Sequence, residues 1–297
     1  REAVFSEWLR GERLDSFLST TPFLLEVEPF PPFAGTCPTV ANHYDLIPLV
    51  FQRHYLRPRS VAASDYFFLL SRLPRADAFV SISDFSRQEA ASYLGIPVDR
   101  ILVGHPIPAS VFRPSPVERR ETTLARFGLE GSARDGFALS VPHTHHTKNV
   151  RTLLRAWAGL PEAFRRRHPL VLTCDLGSAE MTVLRSWLEE EGLREGVIAT
   201  GFVSDEDLAD LYSSAWLYVH PSRYEGFGLP VVEAQACGAA VVASNAASLP
   251  EVVGDAGVLV DPEDPGSLRD ALVDLDAHPT KVDALRERAA SSAARFT

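Results

Sequence analysis

Short apolar runs alternate with longer segments of mixed polarity throughout the second half of the chain. The apolar runs have the length and the β-prone composition of buried strands, and the segments between them are predicted to be helices. Strands are predicted at 137–142, 169–174, 197–200, 215–219, 239–244 and 257–260, and helices near 149–159, 179–191, 205–214, 229–237, 248–253, 266–277 and 281–295. This alternation predicts an α/β fold, in which helices cover both faces of a parallel sheet.

The first half of the chain shows the same alternation in a less regular form. Strands are predicted at 38–42, 78–83 and 101–103, and helices at 1–20, 64–74 and 85–94. Ser64 is the expected cap of the second of these helices. Ser83 or Asp84 is the expected cap of the third, which Gly95 ends.

A proline-rich segment lies near the middle of the chain, from His105 to Pro116. Because proline clusters interrupt helices and strands, we place a domain boundary at the end of this segment. The predicted domains are residues 1–116 and 117–297, and a length of 297 residues allows two domains of ordinary size.

Charge and composition restrict the kinds of partner and compartment. A formal net charge of −10 argues against non-specific binding to nucleic acid. The cysteines, Cys37, Cys174 and Cys237, are widely spaced and form neither a metal-binding pattern nor a disulfide framework. A reducing, cytoplasmic location is therefore expected. The sequence contains no run of about eighteen apolar residues, so it predicts no membrane-spanning helix.

Glu225 and Glu233, separated by seven residues, carry the strongest chemical signal. A predicted strand at 215–219 leads into the loop that holds Glu225, and a helix begins near Leu229 with Pro230 in its first turn. The unpaired N–H groups and the dipole of that helix make an anion site. Carboxylates on either side of an anion site suit a ligand with both phosphate and hydroxyl groups, which describes a sugar nucleotide.

This segment resembles the E-x7-E signature of retaining glycosyltransferases of the GT-B fold, in the large family four. Other segments match the same family in the same order: 45–49, 76–86, 201–208 and 245–256. The resemblance covers most of residues 38–297. It implies two Rossmann-like domains facing a cleft, with the acceptor in the first and the nucleotide sugar in the second. It also implies that the first strands of the amino-terminal domain and a carboxyl-terminal helix are missing from this chain.

The resemblance implies transfer of a sugar from a nucleoside diphosphate sugar to an acceptor hydroxyl, with retention of configuration, in polysaccharide or glycoconjugate assembly. No further cofactor is expected. The expected acceptor is a glycan or a lipid-linked glycan. The sequence leaves the base, the sugar and the acceptor undetermined.

The resemblance also assigns roles to individual residues. It places Glu225 against the donor sugar, Lys148 beside the leaving diphosphate, and Glu233 on the ribose hydroxyls. Donor-binding positions are also expected at Gly226, Phe227, Gly228 and Leu229 through their main chain, and at Val203 near the base. For each carboxylate an interpretation without a ligand stays open. Glu233 would also stabilise the helix dipole, and a loop carboxylate such as Glu225 is usually just solvated.

His143 marks a departure from the family, which usually has an arginine before the lysine. His143 replaces that arginine, or Arg223 does, or donor binding is weaker. A metal site is a further interpretation of His143, His145 and His146, but no carboxylate or cysteine lies near them in the sequence. The D-x-D at 274–276 falls late in a predicted helix rather than after a strand, so a metal-independent mechanism is expected.

Two features of the first domain have two readings each. Asp45 either orients an acceptor hydroxyl as a catalytic residue or caps the turn that follows it. Arg53, Arg57 and Arg59 lie among aromatic residues, and they indicate either peripheral contact with the inner membrane face or a solvated helix face.

Two other functions compete with the transferase. A sugar-nucleotide epimerase or a phosphorylase on the same fold would need acid–base residues or a cofactor lysine, and neither pattern is visible. A non-catalytic protein that binds glycans or scaffolds an active transferase is compatible with the departure at His143.

Overall fold

The computed structural model describes residues 15–20, 37–130, 136–173, 176–193 and 195–296. The chain divides into two compact units, Arg1–Pro106 and Ile107–Thr297. This division precedes the boundary predicted after Pro116, because the proline-rich segment packs with the second unit. Phe112 contacts Tyr212 edge to face, with 6.1 Å between ring centroids, and the Ser115 amide donates to Ser213 Oγ at 3.1 Å.

The first unit contains a parallel sheet of four described strands in the order β1-β2-β3-β4. The strands are β1 (Phe17–Ser19), β2 (Thr39–His43), β3 (Ala78–Ser81) and β4 (Ile101–Val103). The helices are α1 (Ile47–Val50), α2 (Gln52–Tyr55), α3 (Val61–Arg72) and α4 (Asp84–Leu94). The strands of this unit alternate in burial, as β2 shows with Thr39, Ala41 and His43 on the buried face.

Two helix predictions in this unit need correction. The predicted helix at 1–20 is wrong at its end, because Phe17–Ser19 pairs with β2 as a parallel strand; residues 1–14 lie outside the described part. Helix α3 begins before the predicted cap Ser64. Ser60 adopts an extended backbone and its Oγ accepts from the Ala63 amide at 3.1 Å, so Ser60 is the cap. The cap by Ser83 and the left-handed Gly95 after α4 are confirmed.

The second unit contains six described parallel strands in the order β10-β9-β8-β5-β6-β7. The strands are β5 (Ala138–Ser140), β6 (Leu170–Thr173), β7 (Val197–Gly201), β8 (Leu217–His220), β9 (Val241–Ser244) and β10 (Gly257–Val260). The helices are α5 (Val117–Arg126), α6 (Val150–Ala158), α7 (Glu162–Arg167), α8 (Ser178–Glu190), α9 (Asp205–Ser214), α10 (Leu229–Ala236), α11 (Leu249–Val253), α12 (Pro265–Ala277) and α13 (Pro279–Ala293). The strand order reverses between β5 and β8, where ligands of open parallel sheets bind.

Helices that cover this sheet bury a continuous apolar core, which includes Trp157, Phe164 and Trp216. The strands β5, β6, β8 and β9 are buried at every position, which explains their unbroken apolar sequences. Within the described residues, no helix is both long enough and apolar enough to cross a bilayer.

Candidate functional site

The loops after β5 and β8 bring Lys148 and Glu225 together. Lys148 Nζ donates to both carboxylate oxygens of Glu225, at 2.7 Å and 2.9 Å. The two residues are 77 positions apart in the sequence, and they meet because β5 and β8 are neighbours in the sheet. The structure therefore joins two of the predicted site residues at the point where the strand order reverses.

Asn149 holds these two loops in place. Its backbone is left-handed, with φ 55°, a conformation that asparagine tolerates better than most residues. Its buried side-chain amide donates to the carbonyls of Pro221 at 2.9 Å and Pro262 at 2.7 Å, and its oxygen accepts from Thr152 Oγ1 at 2.7 Å. The asparagine after Lys148 therefore fixes the position from which the lysine reaches Glu225.

Glu225 is buried, and its carboxylate ends a chain of hydrogen bonds. His220 Nε2 lies 3.1 Å from Oε1, and the Tyr218 hydroxyl lies 2.9 Å from His220 Nδ1. Burial by itself raises the pKa of Glu225, but the hydrogen bond from His220 and the charge of Lys148 outweigh it and lower the pKa to about 2. The carboxylate is therefore ionised at neutral pH, and the lysine neutralises its charge.

The exposed partner of this pair is the lysine. The side chain of Lys148 is 31% exposed and that of Glu225 is 10% exposed. An ammonium group has three protons, and contacts with Glu225 account for two. Glu225 thus holds Lys148 in position, and its contact with the donor sugar stays a prediction.

The main chain at the start of α10 is shaped by Gly228 and Ser248. Gly228 has φ 102°, a backbone conformation that favours glycine, and a Cβ atom there would lie 2.8 Å from Leu249 Cδ2, so a side chain would require the buried Leu249 side chain to shift. Ser248 Oγ lies 2.9 Å from the Glu225 carbonyl and 2.7 Å from the Phe227 carbonyl. Ser248 has a single hydroxyl proton, which these two carbonyls share.

Phe227 and Leu229 belong to the same turn. The ring of Phe227 packs edge to face on Phe296, at 5.2 Å between centroids. Because the Phe227 side chain is buried, a ligand would meet Phe227 through its main chain, and this contact, like those of Gly226 and Leu229, stays a prediction. Gly226 is buried and Leu229 is partly exposed at the first position of α10.

Glu233 is the fifth of the eight residues of α10, beyond its first turn, and its environment is the opposite of that of Glu225. Burial, with a smaller contribution from the charge of Asp205, raises the pKa of Glu233 to about 7. Asp205 begins α9, directly after the loop that contains the half-buried Val203. The carboxylates of Asp205 and Glu233 therefore lie close enough for their charges to interact. That Val203 contacts the same ligand as Glu233 stays a prediction.

The histidine-rich loop has a carboxylate partner that sequence reasoning missed. His143 Nε2 lies 3.5 Å from Glu180 Oε1, and Glu180 is in the first turn of α8. The sequence argued against a metal site because no carboxylate lies near these histidines along the chain. In the folded chain Glu180 lies beside His143, so that argument no longer holds. His220 and Ser248 were also missed. For His220, the sequence offers only the position of a histidine at the end of a predicted strand. Ser248 was interpreted as the start of a predicted helix.

Arg223, the predicted alternative to His143, is already paired. Its guanidinium binds Glu263 through Nε at 2.6 Å and Nη2 at 3.3 Å, and Nη1 donates to the His146 carbonyl at 3.3 Å. Its amide donates to the Thr147 carbonyl at 2.7 Å. Arg223 thus braces the loop of Lys148 from the side of β8.

In the first unit, Asp45 follows strand β2 and its Oδ1 accepts from the Ile47 amide at 2.9 Å. This contact is the turn cap that the sequence offered as one of the two interpretations of Asp45. His43 is completely buried at the end of β2, beside Ser81 Oγ at 3.3 Å, and burial lowers its pKa to about 4. His43 is therefore neutral at physiological pH.

The remaining predicted features lie on surfaces. Arg53 is in helix α2, and Arg57 and Arg59 follow it in an exposed turn. Asp274 and Asp276 lie in the last turns of α12, as predicted. Asp274 pairs with His278 and Lys281, and Asp276 pairs with Arg167 and His168.

Residues 124–292 match the family described as "Glycosyl transferases group 1". O-antigen chain mannosyltransferase B of Escherichia coli is 42% identical over 193 residues, which are 65% of this chain and 49% of that protein. The serotype-specific mannosyltransferase WbdA of Escherichia coli is 35% identical over 237 residues, which are 78% of this chain and 28% of that protein. The chain thus spans about half, or less, of the curated relatives named here.

Solved structures confirm the fold at lower identity. The Anabaena protein Alr3699/HepE, crystallised with UDP, has a TM-score of 0.77 at 20% identity, over 99% of this chain and 77% of that chain. WaaG, a glycosyltransferase involved in lipopolysaccharide biosynthesis, has a TM-score of 0.71 at 18% identity, over 99% and 76%. The expected GT-B class is confirmed, with Rossmann-like α/β sheets in both units. By fold and by sequence over more than half of its length, this chain belongs to the glycosyl transferases group 1 family.

Proposed function

We propose that this chain transfers a hexosyl group from a nucleoside diphosphate sugar to a glycan hydroxyl, with retention of anomeric configuration. Family membership supports the transferase class. The Escherichia coli relatives named as mannosyltransferases make mannose the first donor sugar to test, and O-antigen-like polysaccharide assembly the first process.

The observation that carries this proposal is the ion pair between Lys148 and Glu225. A buried, ionised carboxylate orients a partly exposed ammonium at the reversal point of the sheet. Glu225 precedes Gly228, the N-cap of α10, by three residues, so the carboxylate that holds the Lys148 cation and the helix N-terminus belong to one loop. Together they suit the diphosphate of an activated sugar.

In the proposed reaction, the bond between the anomeric carbon and the diphosphate oxygen breaks while the acceptor oxygen attacks from the same face. The departing phosphate oxygen takes the proton of the acceptor hydroxyl. Lys148 offsets the negative charge that develops on the leaving group, and the N–H groups of Gly228 and Leu229 donate to the diphosphate. This role for Lys148 needs no metal ion on the diphosphate.

Glu233 is proposed to accept hydrogen bonds from the ribose hydroxyls, with Val203 near the base. A carboxylate whose pKa is about 7 is partly protonated at neutral pH, and only the ionised form accepts with both oxygens. Donor binding should therefore strengthen as the pH rises from about 6 to about 8, within the range set by that pKa.

Donor binding and turnover test the proposal. The chain would be screened by thermal shift and calorimetry against nucleoside diphosphates and their sugars, GDP-mannose among them, and turnover would be followed as nucleoside diphosphate release with mannose-containing glycans. Binding raises stability by mass action. Lys148→Ala should reduce turnover tenfold or more, whereas the surface variant His278→Ala should not change it. Failure to bind any nucleotide would instead favour the scaffold function.

A further inference from the structure

Three side chains with metal-binding groups meet beside the loop of Lys148. They are His143 and His145, in the loop after β5, and Glu180, in the first turn of α8. Each offers one ligand atom, and these atoms all lie within 4.8 Å of one another. The two imidazole rings are also close, with 3.8 Å between their centroids. Two imidazoles and a carboxylate from separate elements thus converge on one point.

The carboxylate of this cluster is held in position by neutral donors. Thr144 Oγ1 donates to Glu180 Oε1 at 3.0 Å, and the Gly177 amide donates to Oε2 at 3.3 Å. His143 Nε2 faces Oε1 at 3.5 Å. A fixed carboxylate that faces imidazole nitrogen is the arrangement that metal sites use, because hydrogen bonds to a ligand limit its movement.

We propose that His143, His145 and Glu180 bind one divalent cation of the zinc class. Two histidines and a glutamate are an established ligand set for Zn²⁺, with water as the fourth ligand, whereas Mg²⁺ prefers oxygen ligands and keeps its waters. In tetrahedral zinc sites the ligand atoms lie roughly 3.4 Å apart. Side-chain rotations that move these atoms by about 1 Å close the cluster, and the exposed ring of His145 is the one with room to rotate.

Binding requires one rearrangement of hydrogen bonds. The His145 amide donates to His143 Nδ1 at 3.3 Å, so the ring proton of a neutral His143 lies on Nε2. When Nε2 binds a cation, the proton moves to Nδ1 and this amide contact opens. The metal would thus reshape the short segment between the two histidines.

The proposed cation site is linked to Lys148 by a main-chain hydrogen bond. The Lys148 amide donates to the His145 carbonyl at 3.0 Å. A cation bound by His143, His145 and Glu180 would therefore connect the loop of Lys148 to helix α8. This inference concerns cation binding alone and does not depend on the proposed transferase activity.

Titration of the metal-free chain with Zn²⁺, followed by calorimetry, and with Co²⁺, followed by visible absorption, tests the site. We expect one Zn²⁺ per chain and the intense absorption of four-coordinate Co²⁺. His143→Ala, His145→Ala and Glu180→Gln should each weaken binding at least tenfold. His278→Ala is the matched control, because His278 also faces a carboxylate, with Nδ1 3.1 Å from Asp274 Oδ1, but lacks a second histidine.

Saturable binding that all three substitutions weaken and the control leaves intact would support the site. Absence of saturable binding to the unmodified chain would overturn it, and so would unchanged binding in the three variants. Glu180→Gln keeps the shape of a partly exposed side chain, and a circular dichroism spectrum like that of the unmodified chain would show that lost binding is not lost folding. Zn²⁺ should also raise the midpoint of thermal unfolding, and Glu180→Gln should abolish that rise.

Discussion

Replacing Glu225 with glutamine tests whether its buried charge stabilises the second unit. The folded pKa of about 2 lies below the ordinary value of 4.5, so folding favours the ionised form. At 1.36 kcal/mol per pKa unit, this difference corresponds to about 3 kcal/mol at neutral pH. Glutamine keeps the shape of the side chain and removes the charge. Glu225→Gln should therefore lower the free energy of unfolding by about that amount at pH 7.

The sign of the pH dependence follows from the direction of the shift. A carboxyl group with a lowered folded pKa stabilises the protein above its unfolded pKa, and this stabilisation is lost as the pH falls through the folded pKa. The difference between the unmodified chain and Glu225→Gln should therefore be complete above about pH 5. It should shrink to about 1.4 kcal/mol near pH 3 and vanish below about pH 2.

Urea unfolding followed by tryptophan fluorescence is a suitable assay, because Trp157, Trp187 and Trp216 all belong to the second unit. Glu162→Gln is the control, since Glu162 forms an exposed pair with Arg166 one helical turn away. Exposed pairs contribute at most about 1 kcal/mol. Equal stability of Glu225→Gln and the unmodified chain at pH 7 would refute the reasoning, as would a difference that stays constant down to pH 3.

Three other substitutions test separate parts of the site. Glu233→Gln should raise the free energy of unfolding at pH 8 by an amount on the order of 3 kcal/mol and leave it unchanged at pH 4, because a carboxyl group with a raised folded pKa destabilises the folded state as the pH rises from 4.5 through about 7. Unfolding midpoints of the variant that equal those of the unmodified chain at both pH values would contradict this. Gly228→Ala should lower the free energy of unfolding in urea by about 1–3 kcal/mol. Gly95→Ala should lower it less, because Gly95 also has a positive φ but a Cβ atom there would meet no atom within 4 Å. Equal losses in the two variants would show that the contact with Leu249 is unimportant. His220→Leu should raise the pH at which the chain unfolds in acid, because it removes a hydrogen-bond donor to Glu225. His220→Gln should return this pH towards that of the unmodified chain. An unchanged pH of acid unfolding in His220→Leu would exclude His220 as a positioning residue.

The fold was predictable because its strongest signals are local. Apolar runs and the glycines that end helices are visible in the sequence, and the strands of the second unit fall within the predicted ranges, apart from one further residue at the carboxyl ends of β7 and β8. Cap positions were less certain, because Ser60 and Ser64 are both acceptable caps and only the observed backbone selects Ser60. The first strand was missed because Phe17–Ser19 lies at the end of the segment 1–20, whose pattern was interpreted as an amphipathic helix.

The site was predictable to the extent that it lies in one segment. Glu225, Glu233 and Gly228 share a continuous motif, and Lys148 was recognisable beside a strand end. Glu180 and His220 were not, because their roles depend on contacts that sequence spacing does not encode. Glu180 meets His143 only because the loop after β5 and the start of α8 adjoin in the folded chain.

Glu225 and Glu233 show how one short segment supplies two different carboxylates. Both are substantially buried, and burial raises the pKa of each. Glu225 follows a strand end, where His220 and Lys148 reach it, so its pKa falls to about 2. Glu233 lies on a helix beside the carboxylate of Asp205, so its pKa rises to about 7. Opposite shifts in adjacent carboxyl groups indicate different tasks. A permanently charged group suits the positioning of a lysine, whereas a group that ionises near neutral pH suits contact with a ligand that replaces its water. The destabilising environment of Glu233 gives the folded chain no benefit that the structure shows, and this supports the proposed ligand contact of Glu233 and the proposed positioning of Lys148 by Glu225.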